Sequence, residues 1–446
     1  MANIPVFEVQ FNKDGNIVDQ QEVTKALDGL AAMGATDLLV LSHGWNDDMA
    51  DARNLYSGLL PRIEAQLPAA GAGRTFAALE IFWPSKKYAD PALTPGGAAA
   101  LGDGSGDLDA ATLVARLEEL KAEPERLGVE TVDPERAAKL TEAQALVPTL
   151  ETDSESQRRF VEILRSLLSQ SDANPDDSTD ALFTQDPVEL LQALSDPVPV
   201  PLPPSGGGGA AMVGDDAGSV PEGGAAGIRD FFAGIKAAAG RFLNLFTYAE
   251  MKKRAGLVGR TGVVSALRQV HERLPALKIH LVGHSFGGRL LTSTADNLGP
   301  DVKPSSLILL QAAYSHNGLA SKYDGTNDGF FRQVVAGNKV AGPILITFTK
   351  NDLGNGIAYP IGARLSGDVA SALGDANDPY GGMGRNGAQH TPEVDTASAF
   401  VERVGAPYQF TAGRVYNLNA DEFVKGHSDI AKDEVAFALL SGIAIT

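Results

Sequence analysis

Gly283-His284-Ser285-Phe286-Gly287-Gly288 sets a serine between glycines. The G-x-S-x-G pattern is weak alone, so its surroundings carry the reading. A β-rich run, Lys278 to Val282, enters it, and a helical run, Arg289 to Leu298, leaves it. A serine on a sharp strand-to-helix turn is held in a strained, exposed position, and flanking glycines let the backbone crowd there. The N–H of Phe286 then points to where an oxyanion forms. The plainer alternative is a glycine-rich helix start with a capping serine.

A nucleophilic serine needs a base, and the base needs an orienting acid. On a strand–turn–helix serine both follow it in chain order, acid first. The chain has 7 histidines. His43, His271 and His280 precede the serine, and His284 lies inside the turn. His316 comes before the best acid. His390 sits in a Gly-rich loop before the last strand and is the main rival. His427, in Lys425-Gly426-His427-Ser428-Asp429, follows the last strand, where a base can reach back over the sheet. His427 is therefore the expected base. Asp352 closes the strand-like run Pro343 to Thr349 and is the expected acid, with Asp324, Asp328 and Asp378 as loop rivals and a turn or helix-capping role as the plainer alternative. Ser42-His43-Gly44-Trp45-Asn46 follows another strand. Gly44 permits a tight turn there, and the Trp45 N–H is the expected second oxyanion donor; Trp45 serves equally as core or pocket wall. His43, Gly44 and His284 flank these groups and are the candidate substrate contacts.

All these residues lie at element ends. Ile4 to Phe11 alternates like a strand, and Asp14-Gly15 signals a hairpin turn. Gln21 to Met33 and Asp48 to Leu67 read as helices. Asp37 to Ser42 is a continuous apolar run, as a buried parallel strand should be, and Phe76 to Trp83 reads as the next strand. Further on, Glu250–Leu274, Phe286–Asn297, Ile357–Leu373 and Asp433–Leu440 read as helices. Lys278–Val282, Ser306–Leu310, Pro343–Thr349 and Arg414–Asn419 read as strands. This alternation predicts an α/β protein with a mostly parallel, doubly wound sheet covered on both faces.

HGWN after one strand, Trp83-Pro84-Ser85 after the next, GHSFGG, Asp352 and GHSD together resemble the α/β-hydrolase superfamily. HGWN with WPS is more narrowly similar to a bacterial α/β-hydrolase family of unknown function. The resemblance spans about residues 36–88 and 250–440. It implies Ser285 as nucleophile, Asp352 as acid, His427 as base, and Trp45 and Phe286 as oxyanion donors. It also implies cleavage of a carboxylic ester through an acyl-enzyme, with no metal or organic cofactor. Caps in that superfamily often follow the sixth strand, whereas here a large insertion is expected between the fourth and fifth.

The 446 residues suit a core of 1–88 and 250–446 plus an insertion of 89–249. Between Asp103 and Glu222 stand 25 acidic and 8 basic residues, leaving 31 and 29 elsewhere, so the net charge of -19 is concentrated in this insertion. It reads as partly helical, at Ala110–Leu120 and Gln157–Leu168, with a Pro/Gly-rich flexible stretch at about 197–227. Residues 228–248 are apolar and amphipathic. Phe231, Phe232, Phe242 and Phe246 suit a lid, a peripheral lipid contact or plain core packing.

Such acidity argues against nucleic acid as a partner. No apolar run is long enough to span a membrane, and Met1 to Pro5 lacks a secretory pattern. With 0 cysteines, disulfides and thiolate metal sites are excluded, and a cytoplasmic location is expected. The substrate is expected to be a small-molecule or lipid ester. The alternatives are a lipase or phospholipase acting at a lipid surface, and a silent hydrolase-fold scaffold whose acidic insertion docks a protein. Oligomeric state is not legible. Asp324 to Gly329 has a faint calcium-loop look but reads as a turn. Gly381 to Gly387 lacks the entering strand of a phosphate cradle and reads as a flexible loop near the site.

Overall fold

Six ladders, all parallel, join seven strands in the order β1-β3-β2-β4-β5-β6-β7. The strands are β1 (Val6–Gln10), β2 (Asp37–Ser42), β3 (Phe76–Phe82), β4 (Lys278–His284), β5 (Ser306–Leu310), β6 (Ile344–Phe348) and β7 (Val415–Asn419). This computed structural model describes residues 4–44, 49–70, 73–85, 110–122, 127, 131–167, 181–195, 234–352 and 381–446. Trp45, Asp378, the 197–227 stretch, residues 228–233 and the expected helix over 357–373 lie outside the described residues, as does the side chain of Phe246.

The chain divides into two compact units. One holds Met1–Tyr88, Lys252–Asn355 and Gly381–Thr446, and the other holds Ala89–Met251 and Gly356–Tyr380. In the first, helices cover both faces of the sheet, and β2, β3 and β5 are buried along their whole length. That burial explains their mostly apolar sequences. Helix α1 (Gln20–Met33) starts where the Asp19 side chain accepts the Gln21 N–H and stops at Gly34, whose φ of 62° is left-handed. Helix α2 (Met49–Ala70) packs with the C-terminal helix Asp433–Ala444 on one face, over a core of Leu39, Leu41, Tyr56, Ile308, Tyr416 and Leu440.

The second unit has a core of its own. Helices α3 (Ala110–Ala122), α4 (Pro134–Leu146), α5 (Ser154–Leu167), α6 (Ala181–Thr184) and α7 (Pro187–Ser195) bury Leu117, Leu140, Phe160, Leu164 and Leu191. The described acidic residues of this bundle lie on its outside, where Glu142 and Asp186 pair with Arg159 and Arg158. Phe242 is buried in α8 (Ile235–Val258).

Two expectations need correction. The turn at Asp14-Gly15 does not open a second strand. After a single antiparallel bridge, Phe11 to Ile17, Asp19 already caps α1. Residues 83–277 therefore connect the third and fourth strands, not the fourth and fifth. The helix expected over Glu250–Leu274 is also not one helix. It is the end of α8, a π-helical turn over Gly259–Val263, and α9 (Val264–Arg273).

Seen along the chain, β3 lies to one side of β2, and β4 to β7 lie to the other. The order reverses between β2 and β4. In an open parallel sheet the crevice at the carboxyl ends of two such strands is where ligands bind. Ser42 ends β2 and His284 ends β4, so His43-Gly44 and Ser285-Phe286 both follow strands that end at that crevice.

Candidate functional site

Ser285 sits between β4 and helix α10 (Phe286–Asn297), with φ 56° and ψ -126°. A non-glycine residue held there stores strain on the order of 1–3 kcal/mol. Three backbone bonds impose it: Ser285 N–H to the Leu310 carbonyl at 3.1 Å, and the Ala313 and Gly288 N–H groups to the Ser285 carbonyl at 3.0 Å. The turn also runs hard against the end of β2. A Cβ on Gly287 would collide with the carbonyl oxygens of Ser42 and His43, so only glycine fits.

Gly44 packs against the serine from the other side. A Cβ there would stand 2.8 Å from Ser285 Cβ and 3.2 Å from Ser285 Oγ. His43 holds this segment. Its Nε2 faces the Trp83 N–H at 3.3 Å, its Nδ1 lies 2.9 Å from the Gly44 carbonyl, and its own N–H donates to the Tyr56 hydroxyl at 2.7 Å. Nε2 accepts from Trp83, so Nδ1 carries the proton and donates to Gly44. His43 is thus a buried joint in the segment that carries Gly44. Neither Tyr56 nor Trp83 was singled out for this by the sequence; the joint appearance of HGWN and WPS in the resemblance was the available hint.

Asp352 and His427 come together although 75 residues separate them: Nδ1 of His427 is 2.9 Å from Oδ2 of Asp352, and both side chains are buried. Their two loops are cross-bonded. Asp421 accepts the Thr349 hydroxyl at 2.9 Å and the Lys350 N–H at 2.8 Å, while the Asn351 side-chain amide donates to the Val424 carbonyl at 2.9 Å. Arg385 donates to the Lys350 carbonyl at 2.5 Å. His427 also meets the serine turn, since His284 Nε2 lies 2.9 Å from the His427 carbonyl oxygen and the two rings are 4.9 Å apart. Ser285 Oγ has no hydrogen-bond partner among the described residues. Such bonds are often long until substrate binds.

The rivals are engaged elsewhere. His390 Nδ1 lies 2.9 Å from the Asn317 side-chain oxygen, and His316 is buried against Asn386 and Gly381. Asp324 accepts the Thr326 and Asn327 N–H groups in a tight turn. Those bonds, its backbone ones first, hold its carboxyl below the usual range. Asp328 accepts the Lys322 N–H. Gly381 to Gly387 is not a loose loop: it forms α11 (Met383–Asn386), bonded to the carbonyls of Tyr314 and Ala312.

A second chain of serine, histidine and aspartate lies at the opposite ends of the strands. His280 bridges Ser306 Oγ and Asp37 Oδ1, each at 2.9 Å, and all three are buried. Burial pushes the His280 imidazole down and keeps it neutral. Burial also opposes charge on Asp37, but hydrogen bonds from His280, Thr36 and Arg74 prevail and lower it. Both ring nitrogens of His280 are occupied, so this chain has no base to offer and serves to stitch β2, β4 and β5. A cleft of roughly 530 Å³ opens beside Asp37, Arg74 and Lys278, at the far end of the strands from Ser285. Its volume therefore says nothing of the chemistry at Ser285. Among the described residues no group of three or more His, Asp or Glu is placed to hold a metal ion, and no helix is long and apolar enough to cross a membrane.

What the site can do follows from its parts. A carboxylate at Nδ1 leaves the lone pair of His427 on Nε2, available for a proton. A strained serine sits at a helix start, where N–H groups favour negative charge. Comparison of this chain with family models, with curated proteins and with solved structures finds no match.

Proposed function

We propose that this chain is a serine hydrolase of the α/β-hydrolase type, cleaving a carboxylic ester through an acyl-enzyme. The observation that carries the reading is the buried Asp352–His427 pair, bonded through its backbone to the residue that precedes a strained Ser285 at the sheet's reversal point. His427 Nε2 takes the proton of Ser285 Oγ as that oxygen attacks the ester carbonyl carbon. The N–H of Phe286, with a donor from the loop after Gly44, stabilises the oxyanion; each such donor is worth about 10²–10³ in rate. The alcohol leaves with the proton from His427. Water, deprotonated by the same imidazole, then releases the acid. Asp352 fixes the tautomer and stabilises the imidazolium. On this reading residues 89–249 are an insertion into the hydrolase core.

The test is a fluorophosphonate probe with short-chain acyl esters. Folded wild-type protein is expected to label at Ser285 and to turn over ester, and Ser285→Ala to do neither. Folded wild-type protein that neither labels nor hydrolyses any ester in the panel would overturn the reading.

A further inference from the structure

We infer that His284 is a positioning residue for the base, holding the backbone of His427 against the nucleophile turn. The inference rests on the serine-hydrolase reading and gives a different task to a ring that the sequence placed among the substrate contacts. His284 is the last residue of β4 and pairs in register with Leu310, so the sheet fixes its Cα. Its Nε2 stands 2.9 Å from the His427 carbonyl oxygen. A carbonyl oxygen only accepts, so Nε2 carries a proton whether the ring is neutral or charged. The two rings are tilted by 48° at 4.9 Å. Gly44 covers the other edge, since a Cβ there would lie 3.2 Å from His284 Nδ1.

His427 is therefore gripped at two atoms, its Nδ1 by Asp352 and its carbonyl oxygen by His284. One grip alone leaves the ring free to swing about the Nδ1–Oδ2 direction. The second grip adds restraint to a loop with little packed against it at Gly426: among the described residues no atom lies within 4 Å of where a Cβ on Gly426 would be. Sequence neighbours His284 and Ser285 thus deliver the nucleophile and the base from one strand end. A misplacement of about 1 Å at a reacting group can cost roughly 10²-fold in rate.

The experiment compares wild type, His284→Leu and His284→Gln by ester hydrolysis and by rate of fluorophosphonate labelling. His284→Leu is expected to lower kcat and the labelling rate about 10–100-fold while KM stays within about 3-fold. His284→Gln, whose amide N–H can reach the same carbonyl, is expected to restore most of that loss. A raised KM with kcat retained would mark a substrate contact and overturn the inference, as would unchanged rates in the Leu variant. Failure of wild type to label sinks the hydrolase reading instead. A measurement on the unmodified protein stands beside these: nitrogen NMR should find the His284 proton on Nε2, and a neutral ring protonated on Nδ1 would overturn the inference even if both variants fail to fold.

Discussion

The indole N–H of Trp83 donates to the His43 carbonyl oxygen at 3.1 Å, while the Trp83 backbone N–H reaches His43 Nε2 at 3.3 Å. The rings stack at 5.6 Å with 17° between their planes. The His43-Gly44 segment and Trp83, forty residues apart, are therefore one device. Trp83 sets the tautomer of His43, His43 sets the Gly44 carbonyl, and Gly44 lies against Ser285. Trp83→Phe keeps a stacking ring and removes the indole donor. The expected outcome is a kcat lowered about tenfold with KM little changed, and stability lowered by about 0.5–1.5 kcal/mol, the worth of one hydrogen bond. Steady-state kinetics with urea unfolding check it; a stability loss with no change in kcat would confine Trp83 to the core.

Asp352→Asn leaves the shape of the acid in place. An amide can donate to His427 Nδ1, which moves the ring proton to Nε2 and leaves nothing to accept from Ser285. The expected loss in kcat at neutral pH is on the order of 10³–10⁴. Asp324→Asn serves as comparison, because Asp324 only closes the turn to Asn327, and its kcat should match wild type. Equal losses in both variants would remove Asp352 from the mechanism.

Much of this arrangement was legible in the sequence because the residues concerned close apolar runs. DLLVLS and FAALEIF are apolar at most positions on both faces, so they read as buried parallel strands, and the residues that end them mark where chemistry can be mounted. What the sequence withheld was pairing across space. Ser306, His280 and Asp37 form the same chemical trio as the candidate site, yet nothing in their spacing reveals the contact. Asp421 and Asn351, which tie the Asp352 and His427 loops together, read as ordinary turn residues. The break at Gly259 was hidden for the same reason: a Cβ there would collide with the Leu290 carbonyl of α10, a neighbour absent from local sequence.

Gly44→Ala tests how tightly the serine is backed. The backbone tolerates alanine there, because Gly44 is not among the left-handed residues. The added methyl instead meets Ser285 Cβ at 2.8 Å and His284 Nδ1 at 3.2 Å. Labelling of Ser285 is expected to slow by about 10² or more, a misplacement effect, with an overpacking cost of about 1–3 kcal/mol. Gly34→Ala is the control. Its φ of 62° costs alanine about 1–2 kcal/mol, with no atom of the described residues within 4 Å to disturb and no effect on rate expected. Wild-type labelling by Gly44→Ala would show that the two segments part more easily than their packing implies.

Glu80 gives the protein a pH dependence unrelated to the site. It lies in β3 in register with Glu8 of β1. Burial first, then the charge of Glu8, push its carboxyl up to about 7 against the pull of Arg53. Below the ordinary value of 4.5 the group is protonated in the folded and unfolded chain alike, so folding is not penalised. As pH rises through 4.5 towards 7 the unfolded chain ionises first, and stability is lost. Above 7 the penalty is complete and constant. Glu80→Gln keeps the shape and removes the titration. At about 1.4 kcal/mol per pKa unit, it should stabilise the protein by roughly 1–3 kcal/mol at pH 8 and by almost nothing near pH 4.5. Urea unfolding of both proteins at the two pH values decides it: a gain of equal size at each would mean that packing, not ionisation, governs Glu80.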